Sequence, residues 1–199
     1  MNKVITISRE YGAGGHTIGK RVARELGIEI YDKDIVRETV KASGYEAELV
    51  EQEGEEVSKT SSIIKSICGG SAFYPNTQDA IHDVQQAVIL RFAQTGPCVI
   101  LGRCADEILR ATDIKALNVF IYADDLHRAA RLSEMTGVTD PAELQRMMAK
   151  KDASRRAYYT HYTGKRWGDC HNYDLSLDSG ALGDDLCVKL IVDAARAGE

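Results

Sequence analysis

No stretch of the 199-residue chain approaches the ~18 apolar residues that a membrane-spanning helix needs. The opening MNKVITISRE has one lysine and only a short apolar run before Arg9, so a secretory signal peptide is not expected. Cysteine occurs five times, at Cys68, Cys98, Cys104, Cys170 and Cys187, an odd number with no CxxC pair. That argues against a disulfide framework or a zinc site and fits reduced packing thiols in a cytoplasmic protein. A basic surplus is also lacking: the net charge of -5 argues against non-specific nucleic-acid binding, which selects for a basic footprint. Internal repeats, low-complexity tracts and an interdomain linker are missing too. What remains, 44% apolar and 28% charged, suits one soluble domain with a sizeable core.

Short strand-like runs alternate with helical periodicities. Val4 to Ser8 (VITIS) runs into glycines, as a buried parallel strand does. Ile18, Val22, Ala23 and Leu26 then recur at helical spacing from Thr17 until Gly27. Ile28 to Tyr31 predicts a second strand and Asp34 to Ala42 a helix. Residues 46–76, acidic and then Ser/Gly-rich, predict an inserted helical segment with a mobile part around Gly69, Gly70 and Pro75. A helix over Asp79 to Gln94 stops at Gly96-Pro97. Cys98 to Leu101, Ala116 to Tyr122 and Tyr173 to Leu177 complete five strands, and Asp184 to Ala195 predicts a closing helix. Asp124 is a candidate N-cap, and Asp140-Pro141-Ala142-Glu143 reads as another helix start. The alternation predicts an α/β fold, a parallel sheet covered on both faces, with ligands at the carboxyl ends of its strands.

Ser8 to Thr17 (SREYGAGGHT) joins the first strand to the first helix. Glycines let backbone N–H groups approach an anion, and the positive end of the helix dipole adds to the attraction. Gly12, Ala13, Gly14, Gly15, His16 and Thr17 are therefore the expected phosphate cradle. His16 could donate to phosphate, and the Thr17 hydroxyl could reach a Mg2+ riding on it. The competing explanation is a tight turn that needs glycine for steric reasons. The complete Gly-x-x-x-x-Gly-Lys-Ser/Thr pattern is not present, since Arg9 stands at its first glycine position and Gly15 at its lysine position.

Four blocks in order, ITISREYGAGGHTIGKRVARELGI, IYDKDIV, GPCVILGRCADEIL and NYDLSLDSG, resemble the cytidylate kinase-like family, a divergent branch of the P-loop nucleoside monophosphate kinases. The resemblance runs nearly end to end and is loosest over 46–76. It implies a three-layer kinase-type fold with a core over roughly 1–45, 77–140 and 170–199. A helical monophosphate-binding insert at 46–76 and a lid at 141–169 would complete it. It also implies ATP and Mg2+ as cofactors and transfer of the γ-phosphoryl group to a nucleoside monophosphate such as CMP, with no nucleic-acid or membrane partner. By the same resemblance, Asp32 aligns with an aspartate that opens the monophosphate-binding region, and Arg37 lies one position from a substrate-phosphate arginine. Arg103 matches the arginine of a Gly-Arg-Asp stretch whose aspartate is replaced by Cys104, with Asp106 a candidate substitute. Lys151, Arg155 and Arg156 match lid cations that clamp phosphates, the alternative being a solvated basic helix face. Trp167, in the same region, either gates or stacks or simply packs, and Tyr173 reads as core.

The loop lysine normally reaches the β- and γ-phosphates. Its absence leaves three readings. Arg9, Lys20 or Arg103 supplies the charge, with Arg9 the best placed because it begins the loop. Otherwise the scaffold serves another small acceptor, or the domain binds nucleotide as a slow or non-catalytic regulatory module.

Overall fold

In a computed structural model, the structure describes residues 4–53 and 77–197; Cys68 and the stretch around Gly69, Gly70 and Pro75 lie outside them. The elements in chain order are β1 (Val4–Arg9), α1 (Gly15–Leu26), β2 (Glu29–Tyr31), α2 (Lys33–Ser43), α3 (Ala47–Glu53) and α4 (Thr77–Thr95). They continue with β3 (Cys98–Leu101), α5 (Ala105–Arg110), β4 (Ala116–Tyr122), α6 (Asp125–Thr136), α7 (Pro141–Thr163), β5 (Leu175–Asp178) and α8 (Ser179–Ala197).

All five strands are parallel, in the order β2-β3-β1-β4-β5. β1 is the central strand because its side chains suit burial on both sides. Ile5 and Ile7, both fully buried, pack with Ile18 and Val22 of α1 and with Val188 and Ile191 of α8. Val4 faces the other way, with Ile89 of α4 and Leu109 of α5. Burying one such side chain stabilises the fold by ~1.5–3 kcal/mol, so β1 anchors both layers. The second face turns polar toward the carboxyl end, where Thr6 Oγ1 donates to Asn118 Oδ1 at 2.8 Å.

Several boundaries follow from local chemistry. Asp124 caps α6 by accepting from His127 N–H, and Asp140 caps α7 by accepting from Glu143 N–H, with Pro141 in the first turn. The closing helix begins at Ser179, ahead of the predicted Asp184, because a kink at Gly183 (φ 74, ψ 158) divides it. β5 starts at Leu175 rather than Tyr173, since Asn172 and Cys170 belong to a short 3-10 turn before it. Among the described residues no helix is long and apolar enough to cross a membrane. Cys98, Cys104 and Cys187 are buried thiols, whereas Cys170 is exposed.

Candidate active site

The parallel register brings the carboxyl ends of β1, β3 and β4 together, with Ser8 opposite Phe120 and Ile7 opposite Leu101. The segments leaving these three strands form the site, as expected for a sheet whose strand order reverses about its centre. The glycine loop is the first of them. The hydrogen-bond ladder of α1 begins with Ile18 N–H donating to Gly14 O at 3.0 Å, so the N–H groups of Gly15, His16 and Thr17 lie at the open, positive end of the helix.

Close approach explains the glycines. Gly14 has φ 80, and a Cβ there would collide with the Arg131 guanidinium. A Cβ on Gly15 would stand 2.6 Å from Arg9 Cβ, too close to coexist with it. A lysine at this position would therefore displace Arg9. The steric and the phosphate-binding explanations of the glycines meet here, since the groups they admit are themselves cations.

The first half of the loop is fixed by a buried ionic network. Arg128, 5% exposed, pairs with Glu10 at 2.9 Å and with Asp152 at 2.5 Å. Asp152 also accepts the Tyr11 N–H at 2.8 Å. Burial raises the Glu10 carboxyl above its ordinary range, with Arg128 pulling the other way. Arg155, on α7, donates to Arg9 O at 2.9 Å and lies 5.9 Å from the Tyr11 ring centre.

A cavity of about 180 Å³ runs along the loop, lined by Arg9, Gly12, Gly14, Gly15, His16, Thr17, Arg131 and Arg155 among others. Arg131 is held over it by Asp184, whose two carboxylate oxygens accept from Nη2 at 2.7 and 2.8 Å. A second, much smaller space of about 20 Å³ lies beside it, lined by Ser8, Arg9, Arg103, Arg155, Tyr158, Tyr159 and Trp167. Arg103 and Cys104 both adopt left-handed backbone (φ 59 and 56), a strained conformation that clusters at functional sites.

Arg9 and Arg155 thus come together with Gly12, Gly14, Gly15, His16 and Thr17, with Arg103 in the adjoining space, whereas Ala13 is buried in the core. Other expected residues do not join them. Arg37 is exposed on α2, pairing with Asp34 at 2.5 Å. Asp106 is buried, accepts from Tyr159 OH at 2.7 Å, and faces a separate groove with Arg110, Asn118 and Asp174. Arg156 is exposed and Lys20 lies on an exposed position of α1. The alternative of a solvated basic helix face does not describe the whole Lys151–Arg156 stretch, because Asp152 and Arg155 are buried while Lys151 is half-buried. Trp167 is buried edge-on against Phe120, with ring centres 5.3 Å apart, and Tyr173 lies in the same aromatic cluster.

Asp32 stands just before α2, and its carboxylate lies 2.9 Å from His16 Nδ1. The count that puts Gly15 at the lysine position puts His16 at the hydroxyl position, so Thr17 falls one residue past it. Arg131, Glu10, Arg128 and Asp152 were not singled out by sequence reasoning. The signal available for Arg131 was its position one helical turn after Arg128 on the helix following β4, and nothing local links that helix to the glycines.

Comparison with known proteins gives the family and the fold. Residues 4–181 match the model of the cytidylate kinase-like family. A cytidylate kinase of Archaeoglobus fulgidus is 25% identical over 196 residues, covering 96% of this chain and 94% of its own length. One from Methanococcus maripaludis is 32% identical over 88 residues, 44% of this chain and 49% of that protein. Among solved structures, an uncharacterized protein from Eubacterium ventriosum superposes with a TM-score of 0.73 at 26% identity, over 98% of both chains. A shikimate kinase from Bacteroides thetaiotaomicron shares the fold, with a TM-score of 0.52 at 16% identity, over 98% of this chain and 96% of that one.

Proposed function

The chain belongs to the cytidylate kinase-like family, and from that premise we propose that it transfers the γ-phosphoryl group of ATP to a nucleoside monophosphate such as CMP. The family and the fold support a nucleotide or small-molecule kinase; the monophosphate acceptor rests on the names of the cytidylate kinases it resembles. The observation that carries the reading is the convergence of Arg9, Arg131 and Arg155 on a glycine loop at a helix N-terminus.

Phosphoryl transfer asks little covalent chemistry of a protein. It requires two anions in line and positive groups around the moving phosphoryl, whose bond to the leaving β-phosphate oxygen breaks as one to an acceptor oxygen forms. In this reading the N–H groups of Gly15, His16 and Thr17 bind the β-phosphate, aided by the dipole of α1. Arg131, with Arg9 and Arg155, supplies the charge that a loop lysine otherwise brings. Arg103 orients the acceptor phosphate from its strained turn. A divalent ion, when bound, would neutralise the phosphates, and Thr17, His16 and Asp32 are the donors within reach of the loop.

The acceptor side is nearly closed. A space of about 20 Å³ holds roughly one water molecule, so an acceptor enters only after α7 and the Trp167 segment shift. Residues 141–169 act as the lid in this sense.

Gly15 at the lysine position favours a second reading, a nucleotide-binding regulatory module with slow or no turnover. ADP release with ATP, Mg2+ or Mn2+ and a panel of nucleoside monophosphates, sugars and small alcohols separates the two. Acceptor-dependent ADP release is expected. A nucleotide-induced rise in melting temperature with no acceptor consumed points to the module.

A further inference from the structure

Resting on the kinase reading above, we propose that His16 and Asp32 together ligate the divalent ion of the bound nucleotide, and that this imidazole–carboxylate pair favours first-row transition ions over Mg2+, with Mn2+ as the probe that reads the preference. In P-loop enzymes the residue after the lysine position offers a hydroxyl to Mg2+, a hard ion that takes oxygen donors. Here that residue is His16. Imidazole nitrogen is a poor donor for Mg2+ and a good one for first-row transition ions. The donor set on the page therefore disagrees with the ordinary ion of the fold.

Three features of the pair fit a metal. His16 Nδ1 and Asp32 Oδ2 are 2.9 Å apart. Two donors each about 2.1 Å from one ion, and cis to one another, stand about 3.0 Å apart, so the spacing suits a shared ion once each group turns its donor atom from its partner toward the open side. Asp32 occupies the N-cap position of α2, where a carboxylate usually accepts a helix N–H, yet its side chain makes no capping bond and the backbone sits at φ -139, ψ -80. Its carboxylate is turned to His16 instead. Finally, the side chains are 46% and 22% exposed, and His16 lines the loop cavity. Phosphate oxygens and water can therefore complete the coordination from the open side.

Loss of the free Mn2+ electron paramagnetic resonance signal, with a non-hydrolysable ATP analogue and with Mg2+ as competitor, gives the ratio of the two affinities. Spin-echo modulation of bound Mn2+ reports a directly coordinated nitrogen. The wild-type ratio is expected to exceed that of the free analogue by about tenfold, with nitrogen modulation present. His16→Ser, which restores the hydroxyl, is expected to lose the modulation and return the ratio to that of the free analogue. Asp32→Asn is expected to weaken both ions. An unaltered wild-type ratio, absent nitrogen modulation, or a signal removed by Thr17→Ala and retained by His16→Ser overturns the proposal. Melting curves without metal check that each variant folds. Should the analogue bind but show no nitrogen contact, only this proposal falls; should it not bind at all, the kinase reading falls with it.

Discussion

Replacing Asp106 by Asn tests whether this carboxyl is a burdened structural group or part of the acceptor site. Asp106 is 2% exposed, its Oδ2 accepts from Tyr159 OH, and its Oδ1 has no hydrogen-bond partner. Burial pushes its pKa from 3.8 to about 6, against the pull of the Tyr159 hydrogen bond. The folded chain therefore keeps a proton that the unfolded chain releases. Below pH 3.8 both states are protonated and there is no penalty; it grows as pH rises toward 6 and is complete above it. Its size at neutral pH is roughly 3 kcal/mol as an upper figure, since one pKa unit corresponds to ~1.4 kcal/mol.

Asn keeps an oxygen for Tyr159 and cannot ionise. Urea unfolding at pH 4 and pH 7.5 is expected to show near-equal stabilities at the lower pH. At pH 7.5 the variant should be more stable by roughly 2–3 kcal/mol. A gap that does not change with pH would falsify the burial argument. Loss of acceptor-dependent turnover in a variant that gains stability would return Asp106 to the substrate site, where its resemblance to the Gly-Arg-Asp acid had placed it.

Arg131→Ala is expected to lower affinity for an ATP analogue by about tenfold or more, read by titration calorimetry, because hydrogen bonds to charged groups contribute ~1.5–3 kcal/mol. An unchanged affinity would move the compensating charge to Arg9 and Arg155. Gly14→Ala meets both a left-handed backbone, costing ~1–2 kcal/mol, and the Arg131 guanidinium, so the ATP-induced rise in melting temperature should disappear. Asp152→Ala strips one partner from buried Arg128 and the acceptor from Tyr11 N–H, and should cost about 3–5 kcal/mol in urea unfolding. A cost under ~1 kcal/mol would show that Glu10 alone satisfies Arg128.

The fold was legible wherever one segment determines its own state. The runs at Cys98–Leu101 and Ala116–Tyr122 are strands at those limits, because the first is apolar throughout between Pro97 and Gly102 and the second is apolar apart from Asn118. Asp124 and Asp140 cap helices because the acceptor and the N–H it serves lie three residues apart. Gly183 hid the first turn of the closing helix, since a glycine within a periodic stretch reads as a boundary. The site was legible at the loop and, through the resemblance, at Arg103 and Arg155, but not in what holds these groups. Arg128 pairs with Glu10 from 118 positions earlier, and Arg131 with Asp184 from α8, and no spacing rule connects such partners. Arg155 was visible as a cation but not as a buried one, because its burial depends on Arg9 O at the end of another strand.

The route by which charge reaches the loop changes what nucleotide affinity depends on. A loop lysine is fixed by the turn that carries it, so its position survives small movements elsewhere. Arg131 is fixed instead by Asp184, which follows directly on the kink at Gly183 in α8. Asp184 and Arg131 are each largely shielded, with side chains 19% and 24% exposed, so the pair is screened less than a surface bridge. Phosphate arriving at Gly14 meets a guanidinium already neutralised by a carboxylate. Each of its five N–H donors can serve only one strong acceptor well, and Nη2 is committed to Asp184. Nη1, the atom nearest the place a Gly14 Cβ would occupy, is the donor turned toward the loop. Asp184→Asn then separates two effects: it frees Arg131 charge, which strengthens phosphate attraction, while loosening its placement. If charge dominates, ATP binds more tightly in the variant and more so at low salt; if placement dominates, affinity falls at every ionic strength.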